Sequence, residues 1–327
     1  MRHFFNSHKS ADIHDFMSHY FTYVHSEIVY EKPGHDIQIF RACPLHRQCS
    51  STSCHCLAVK ITKVLKNTFD VKAAIAHEHL TQRMKHTQGA PHFNLLLGFF
   101  LDSAPKSSKV VLATEYEIPY FPTCKTLSEV IKQRKLTALE WKAVNFQLVS
   151  ALAFAQKRVP GFCHNDTHLQ NILLVPNTTK HPCKAQSAKR VKFYVNCPFL
   201  VRFIDFDLVT YKGGGSLGGH YFFRYTPANS MIDFFRFASS CNHHFMQTYK
   251  SPNPPKHIQE WREFVMRYLP PVLIYEDTQS LIEKFIDPNG AILTEYGGSI
   301  LQDLYGPKEP SVLLRMLDDP YFKEFRV

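Results

Sequence analysis

A short polar segment between apolar stretches carries the residue types that phosphoryl transfer needs. His164-Asn165-Asp166 is followed by Asn171, in the pattern H-x-D-x-x-x-x-N, and then by the aliphatic run 172–174. A carboxylate can orient an attacking hydroxyl and accept its proton, and a nearby amide oxygen can bind the divalent cation that bridges phosphates. Asp166 is therefore the candidate base and Asn171 a candidate metal ligand. The alternative is a loop in which both residues merely cap turns.

A second acidic segment contains Asp205, which lies 39 positions after Asp166. Phe203-Ile204-Asp205-Phe206-Asp207 embeds acids between apolar residues. This pattern is typical of a short strand that ends at a metal-binding carboxylate, so we expect Asp205 to hold Mg²⁺.

These segments together resemble the protein kinase superfamily. The catalytic loop H-R-D-x-x-x-x-N appears as 164–171, and D-F-G appears as 205–207. Upstream, the strand V-A-I-K is similar to 57–60. The resemblance implies ATP and Mg²⁺ as ligands, with Lys60 on the α- and β-phosphates and paired with a glutamate of helix αC. Glu78 is the best candidate for that glutamate, and a solvated helical residue is the alternative reading.

Two further segments fit the same family. The run 110–117 is similar to the kinase hinge, which implies that backbone groups of Glu115 and Glu117 bond the adenine edge and that Thr114 is the gatekeeper. An ordinary edge strand is the alternative. The segment 230–237 resembles helix αF, which implies that Asp233 braces the catalytic loop.

The chain also departs from the family pattern. No G-x-G-x-x-G precedes Lys60, and Gly34 is the one glycine of the predicted β1–β2 turn, which puts ATP affinity in doubt. The glycine-rich run 212–219 follows Asp205, where a flexible activation segment belongs. Asn165 replaces the arginine of the catalytic loop, and 226–229 stands in the place of A-P-E without its glutamate. Switching by activation-loop phosphorylation is therefore not expected.

Two substitutions bear on the substrate. His168 stands where protein-directed kinases usually have lysine, and Asp207 replaces the glycine of D-F-G. Both substitutions resemble aminoglycoside, choline and sugar kinases, as well as haspin-like kinases and those of large DNA viruses. We favour a Ser/Thr protein kinase. The alternatives are a small-molecule kinase of the aminoglycoside or choline type and a non-catalytic scaffold on a kinase fold.

The order of the predicted elements favours an α+β, bilobal protein-kinase-like fold. We expect an N-terminal helical extension over 1–26, a small antiparallel β-sheet lobe with helix αC over 27–117, and a larger, mainly helical lobe over 118–327. Periodic apolar residues predict helices over 12–30, 70–86, 126–133, 138–159, 257–268 and 278–285. β-type runs predict strands at 27–30, 37–40, 56–61, 93–100 and 110–116.

A cysteine- and histidine-rich segment precedes the Lys60 strand. Thiolates and imidazoles suit a tetrahedral Zn²⁺ site. The spacing matches no standard pair of C-x₂-C knuckles, so free thiols are the favoured reading. The candidate zinc ligands are Cys43, His46, Cys49, Cys54 and Cys56.

Charge and composition indicate the location and the kind of partner. The net charge of +10 favours acidic partners such as nucleotide and acidic protein segments, and nucleic acid stays open. No apolar run is long enough for a signal peptide or a membrane span, so we expect an intracellular protein, in the host cytoplasm or virion if viral. The 27 Phe residues are compatible with an AT-rich viral genome. A basic stretch between Asp166 and Asp205 is either an acidic-partner docking site or a solvated loop; it contains Lys180, Lys184, Lys189, Arg190 and Lys192.

Overall fold

The computed structural model divides the chain into two compact units. The first comprises Met1–Lys85 and Asn94–Glu117, and the second comprises His86–Phe93 and Ile118–Val327. Small antiparallel sheets lie beside several helices, so the expected α+β class is confirmed. The structure describes residues 21–31, 37–44, 57–63, 69–87, 90–102, 109–115, 117, 119–178, 183–212, 214–215, 231–249, 253–269 and 311–327.

The first unit is built on a five-stranded sheet with the spatial order β1-β2-β3-β5-β4. Every neighbouring pair is antiparallel, so short connections suffice to join most of the strands. Its strands are β1 (Phe21–Glu31), β2 (Ile37–Pro44), β3 (Leu57–Lys63), β4 (Leu96–Asp102) and β5 (Lys109–Glu115).

The expected N-terminal helix is wrong for the part of it that the structure describes. Residues 21–30 belong to strand β1, which pairs with β2, so residues 21–26 of the helical extension predicted over 1–26 form a strand instead. Phe, Tyr, Val and Ile are dense in this segment, and these residue types favour strands when a pairing partner is present. The four-residue spacing of the apolar residues does not reveal that partner. Residues 1–20 lie outside the described part of the chain.

Helix α1 (Phe69–Met84) packs against β4 and β5. Buried Ala74 contacts Leu96 and Leu112 in a small apolar cluster. Thr81 Oγ1 accepts the backbone N–H of Leu96 at 2.8 Å, and a His77 ring nitrogen lies 2.9 Å from the carbonyl oxygen of Asn94. Apolar burial attracts the helix to the sheet without fixing its orientation, whereas these directional polar contacts fix it.

The second unit is mainly helical and carries short two-stranded ribbons. The ribbons pair β6 with β9, β7 with β8, and β10 with β11, all antiparallel. Its helices are α2 (Leu127–Lys132), α3 (Ala138–Arg158), α4 (Ile232–Thr248), α5 (Lys256–Met266) and α6 (Ser311–Met316). Its strands are β6 (Ile172–Pro176), β7 (Cys183–Gln186), β8 (Lys192–Val195), β9 (Phe199–Phe203), β10 (Thr210–Tyr211) and β11 (Gly214–Gly215).

Helix α3 forms the centre of this unit. A capping box begins it, in which Thr137 accepts the backbone N–H of Glu140 and the Glu140 side chain accepts that of Thr137. Most of the helix is buried, and aromatic rings cover it on more than one side. Trp141 contacts Trp261 of α5 edge-on at 6.0 Å between ring centroids, and Phe146 lies 5.4 Å from Phe193 of β8. This packing makes α3 a rigid support for β9 and for the residues that follow it.

Several predicted features lie outside the described residues. They include the helix expected over 278–285 and most of the glycine-rich run, of which 212 and the strand β11 are described. The predicted helices at 70–86, 126–133, 138–159 and 257–268 are present with boundaries shifted by up to a few residues. In the part of the chain that the structure describes, no helix is both long and apolar enough to cross a membrane.

Candidate functional site

The ribbon of β6 and β9 brings Asn171 and Asp205 to the same end of the second unit. Ile172 pairs with Phe203, so Asn171 directly precedes one strand where the other strand ends. The backbone N–H of Ile204 donates to the Asn171 carbonyl at 3.0 Å. Asp205 follows immediately and is exposed, with left-handed backbone angles of φ 63° and ψ 74°. Two segments far apart in the sequence therefore bring the backbones of Asn171 and Asp205 to neighbouring positions.

Asp166 lies in the loop before Asn171, and donors surround its carboxylate. The Asn171 side-chain Nδ2 donates to Asp166 Oδ2 at 2.8 Å and to the Asp166 carbonyl at 3.0 Å. Arg236 Nη1 of helix α4 approaches the other oxygen, Oδ1, at 3.4 Å. The carboxylate is therefore held from both sides, and the Oδ1 of Asn171 is the amide atom available to bind a cation.

His168 is the third donor to Asp166. Its Nδ1 accepts the backbone N–H of Gln170 at 3.2 Å, which places the proton of the neutral ring on Nε2. Nε2 lies 3.4 Å from Asp166 Oδ2. The hydrogen bond to Gln170 therefore selects the tautomer that donates to Asp166, and the same bond orients the ring.

These neighbours set the charge state of Asp166. Burial acts to raise the pKa of this carboxyl, but the hydrogen bond from His168, followed by the charges of Arg236 and His164, lowers it below its ordinary value. The carboxylate is therefore ionised at neutral pH. An ionised, oriented carboxylate with part of its surface exposed can accept a hydrogen bond from a hydroxyl group of a substrate.

Asp233 at the start of α4 braces the loop from beneath. Its Oδ2 and Oδ1 accept the backbone N–H groups of His164 and Asn165, each at 2.8 Å, and its carbonyl accepts the Thr167 hydroxyl at 2.6 Å. The residue is fully buried, and burial raises its pKa against the opposing effects of His164, the two backbone donors and Arg236. Backbone N–H groups in the interior need such acceptors, so Asp233 holds the loop in one conformation.

Asn165 connects the loop to the segment after Asp205. Its φ of 63° lies in the left-handed region, which asparagine tolerates better than most residues. Its Nδ2 donates to the Leu208 carbonyl and to Thr210 Oγ1, both at 2.9 Å. The backbone groups of Cys163 and Thr210 also exchange hydrogen bonds at 2.9 Å. The Asn165 side chain thus links the loop to residues 208–210, at the position where the protein-kinase pattern has arginine.

An aromatic cluster supports the site from the interior. Phe206 lies 4.8 Å from the His164 ring and 6.2 Å from Phe93, measured between ring centroids. Phe93 stacks on Phe203 at 5.4 Å and meets Phe162 edge-on at 5.9 Å. All of these rings are buried, and His164 Nε2 lies 3.0 Å from the Ile204 carbonyl oxygen. The cluster therefore fixes the backbone on both sides of Asp205.

Arg236 is a member of this site that the sequence alone did not assign. It is three positions after Asp233 on helix α4, so both residues lie on the same face of that helix. Burial lowers the pKa of the Arg236 guanidinium, and the negative charges of Asp166 and Asp233 raise it. The guanidinium therefore stays positively charged. The i, i+3 spacing of an acid and an arginine is the sequence signal that could have identified it.

The other predicted site residues belong to the first unit. Lys60 is half-buried on β3, where it pairs in register with Ile39 and Leu112. Glu78 is half-buried on α1, and its Oε1 accepts a hydrogen bond from Gln82 at 3.4 Å. The pairing of Lys60 with Glu78 stays a prediction.

The residues predicted to contact the adenine lie at the end of β5 and just after it. Thr114 Oγ1 on β5 accepts the side-chain N–H of Asn94 at 3.2 Å. Glu115 ends β5 and pairs with Leu57, and Glu117 is half-buried. Gly34 lies outside the described residues.

The donor set of the second unit fits a hard divalent cation. Asn171 Oδ1 and the Asp205 carboxylate are oxygen donors, and Mg²⁺ typically takes one or two such protein ligands and completes its shell with phosphate oxygens and water. In the described residues no group of three or more His, Cys, Asp and Glu side chains has the geometry of a metal site. Of the predicted zinc ligands, Cys43 lies on β2, and the other four lie outside the described residues.

The sequence was compared with protein-family models and with curated proteins. No family model matches the chain, and no curated protein matches it significantly.

Proposed function

We propose that the chain is an ATP-dependent phosphotransferase with a bilobal protein-kinase-like fold, in which the first unit is the smaller lobe and the second unit the larger. The observation that carries the proposal is the arrangement of Asp166, Asn171 and Asp205 at one end of the β6–β9 ribbon. An oriented carboxylate beside two oxygen ligands for a cation is the arrangement that phosphoryl transfer to a hydroxyl requires.

The residues of the second unit would divide the chemistry in the following way. The hydroxyl oxygen of the acceptor attacks the γ-phosphorus of ATP, the bond to the β–γ bridging oxygen breaks, and ADP leaves. Asp166 orients the hydroxyl and accepts its proton, while His168, Asn171 and Arg236 keep the carboxylate oriented. Mg²⁺, held by Asn171 and Asp205, would neutralise charge on the phosphate oxygens.

The favoured acceptor is the hydroxyl of Ser or Thr in a protein. Transfer to a small molecule uses the same catalytic groups, so the acceptor must be identified by experiment. Labelled ATP and Mg²⁺ would be supplied with generic protein acceptors and, separately, with a panel of aminoglycosides, choline and sugars. Label in protein supports the favoured reading, and label confined to the small molecules replaces it.

A catalytic variant tests the assignment of the base. Asp166→Asn keeps the size of the side chain but removes the proton acceptor, and we expect turnover to fall by roughly 10²–10⁴-fold. The melting temperature and the stabilisation by ATP with Mg²⁺ should change little, because the loop is braced by Asp233 rather than by Asp166.

Asp205→Ala is the companion variant in the same assay. It should abolish the stabilisation that depends on both ATP and Mg²⁺ because it removes a cation ligand. Parental turnover in Asp166→Asn would reject Asp166 as the base. A parent protein that neither turns over nor is stabilised by nucleotide would favour a non-catalytic scaffold.

A further inference from the structure

The insertion between Asn171 and Asp205 contains a hairpin whose outward side is basic. Strands β7 and β8 pair in register, with Lys184 opposite Tyr194 and Gln186 opposite Lys192, and all four of these side chains are exposed. Lys189 and Arg190 are exposed in the turn that joins the strands. We call Lys184, Lys189, Arg190 and Lys192 the basic hairpin surface.

The hairpin is anchored firmly to the second unit. Phe193 is completely buried between the strands and α3, where it contacts Phe146. The Asp318 carboxylate accepts hydrogen bonds from the Ser187 hydroxyl at 2.5 Å and from the Lys189 backbone N–H at 3.2 Å. The backbone N–H of Val327 donates to the Lys192 carbonyl at 3.1 Å. The cations therefore project from a fixed backbone rather than from a solvated coil.

Within the part of the chain that the structure describes, the positive charge of this surface is balanced only in part. The segment 183–196 contains no Asp or Glu. Among the described residues, Asp318 touches the hairpin through two uncharged donors, so its carboxylate offsets part of the positive charge without pairing with any of the four cations. Glu324 pairs with Lys142 at 2.8 Å. In the part of the chain that the structure describes, none of the four cations forms an ion pair. A cluster with a net positive charge attracts an acidic partner over a distance of one Debye length, ~8–10 Å.

We propose that the basic hairpin surface binds an extended acidic segment of another polypeptide. Exposed side chains on one face of a strand recur about every 6.6–6.8 Å, and alternate side chains of an extended peptide recur at the same interval. Lys184 on β7 and Lys192 on β8 are diagonal neighbours on the same face of the hairpin, about 7–8 Å apart, which is close to that interval. Acidic side chains of such a peptide can therefore meet both lysines, and its next residues can contact Lys189 and Arg190 in the turn. This binding role goes beyond the proposed phosphotransfer and does not depend on it.

The aromatic content of the surface favours a polypeptide over single-stranded nucleic acid. Nucleic-acid grooves without sequence preference combine basic residues with aromatic faces on which successive bases stack. Tyr194 is the exposed aromatic residue of the hairpin, and the Lys184 ammonium lies over its ring at 5.5 Å from the centroid. That contact is a cation–π interaction, and it covers one of the two ring faces on which a base could stack.

The test compares two charge-neutralised variants of the full chain. In the hairpin variant, Lys184, Lys189, Arg190 and Lys192 are each changed to Gln. In the control variant, four exposed lysines elsewhere in the second unit are changed to Gln, so that the net charge is the same. The control positions are Lys125, Lys132, Lys135 and Lys157.

Binding of a fluorescently labelled oligoglutamate peptide and of a labelled oligothymidylate is then measured by anisotropy at low and high salt. We expect the parent and the control variant to bind the peptide, and the hairpin variant to bind it roughly tenfold more weakly at low salt. Added salt should reduce the difference because it screens exposed charges. Circular dichroism and thermal melting establish that both variants are folded.

The remaining outcomes overturn the proposal in distinguishable ways. An equal loss of peptide affinity in both variants would mean that net charge alone attracts the peptide. If the parent protein does not bind the peptide, the surface is not a docking site for acidic segments. Tighter binding of the oligothymidylate, lost in the hairpin variant, would assign the surface to nucleic acid. Because no readout involves phosphate transfer, these results stand whether or not the chain is a kinase.

Discussion

At the scale of single residues, the site is a carboxylate whose surroundings are arranged by hydrogen bonds. His168, Asn171 and Arg236 all donate toward Asp166, and Asp233 holds the backbone that carries it. His168 contributes because Gln170 fixes its tautomer. The replacement of the usual lysine by histidine therefore leaves a donor next to the carboxylate rather than a gap.

Arg236 gives a prediction at this scale. Arg236→Gln removes a cation that lowers the pKa of Asp166, so that pKa should rise. If Asp166 must be ionised to act, the acidic limb of the pH profile of kcat/KM should then move to higher pH, with activity lost first at mildly acidic pH. The measurement is the pH–rate profile of phosphotransfer.

Arg236→Lys is the matched control, since it keeps the positive charge on the same helix face. It should retain an acidic limb closer to that of the parent than Arg236→Gln does. An acidic limb that stays in place in Arg236→Gln, with turnover reduced equally at every pH, would show that Arg236 supports the fold without tuning Asp166.

At the scale of elements, the position of Asp205 depends on strand β9, which ends two residues before it. One edge of β9 pairs with β6, and groups from outside the ribbon satisfy its other edge. Gln147 of α3 donates through Nε2 to the Phe199 carbonyl at 3.3 Å and accepts the Val201 N–H through Oε1 at 2.9 Å. His92 Nδ1 lies 2.9 Å from the Val201 carbonyl oxygen, and burial lowers its pKa to about 4, so it is neutral and donates.

Gln147 gives a prediction at the element scale. Gln147→Leu leaves a buried N–H and a buried carbonyl of β9 without their partners. We expect the free energy of unfolding to fall by about 2–4 kcal/mol, since each unsatisfied buried group costs roughly 1–3 kcal/mol. Urea denaturation followed by circular dichroism measures the change.

Gln156→Leu is a suitable comparison, because Gln156 is a buried glutamine of the same helix that does not bridge to β9 through these two bonds. The larger loss should belong to Gln147→Leu. Equal stability of Gln147→Leu and the parent would mean that β9 is held by β6 and by apolar packing alone.

At the scale of the whole molecule, the chain does not pass once from one unit to the other. Residues 86–93 belong to the second unit although they follow α1 and precede β4, which are elements of the first. Phe93 is completely buried and stacks in the aromatic cluster below Asp205. The second unit is therefore incomplete without a segment that lies within the expected smaller-lobe range of 27–117.

Phe93 gives the prediction at this scale. Phe93→Ala should destabilise the second unit by about 3–5 kcal/mol, as large-to-small substitutions of buried aromatic residues do. Both tryptophans of the chain, Trp141 and Trp261, are buried in the second unit, so their fluorescence reports its unfolding specifically. Urea unfolding followed by tryptophan emission measures the shift.

Leu97→Ala provides the control, because Leu97 is an exposed residue of β4 in the first unit. Its unfolding midpoint by tryptophan emission should stay close to that of the parent. A Phe93→Ala midpoint equal to that of the parent would mean that 86–93 can detach without loss to the second unit.

Local pattern was enough to predict several parts of this protein. The α+β class, the helices at 70–86 and 138–159, and the proximity of Asp166 to Asn171 could all be read from residue types and spacing. A helix with periodic apolar residues and a loop of five positions are short-range features, so their sequence contains most of the information that shapes them. The strand expected at 27–30 is confirmed as part of β1, whereas the helix expected over 12–30 failed for 21–30 because strand pairing with β2 is a long-range interaction.

Tertiary structure alone decided how distant segments meet. The contact of Arg236 with Asp166 joins residues 70 positions apart, and that of Gln147 with Val201 joins residues 54 apart. The basic stretch became a hairpin because Phe193 is buried against α3 and Asp318 anchors the turn. Sequence determined which groups can act as acid, base or ligand, since that is set by side-chain chemistry. Their partners, burial and pKa values follow from packing between segments, which no local pattern encodes.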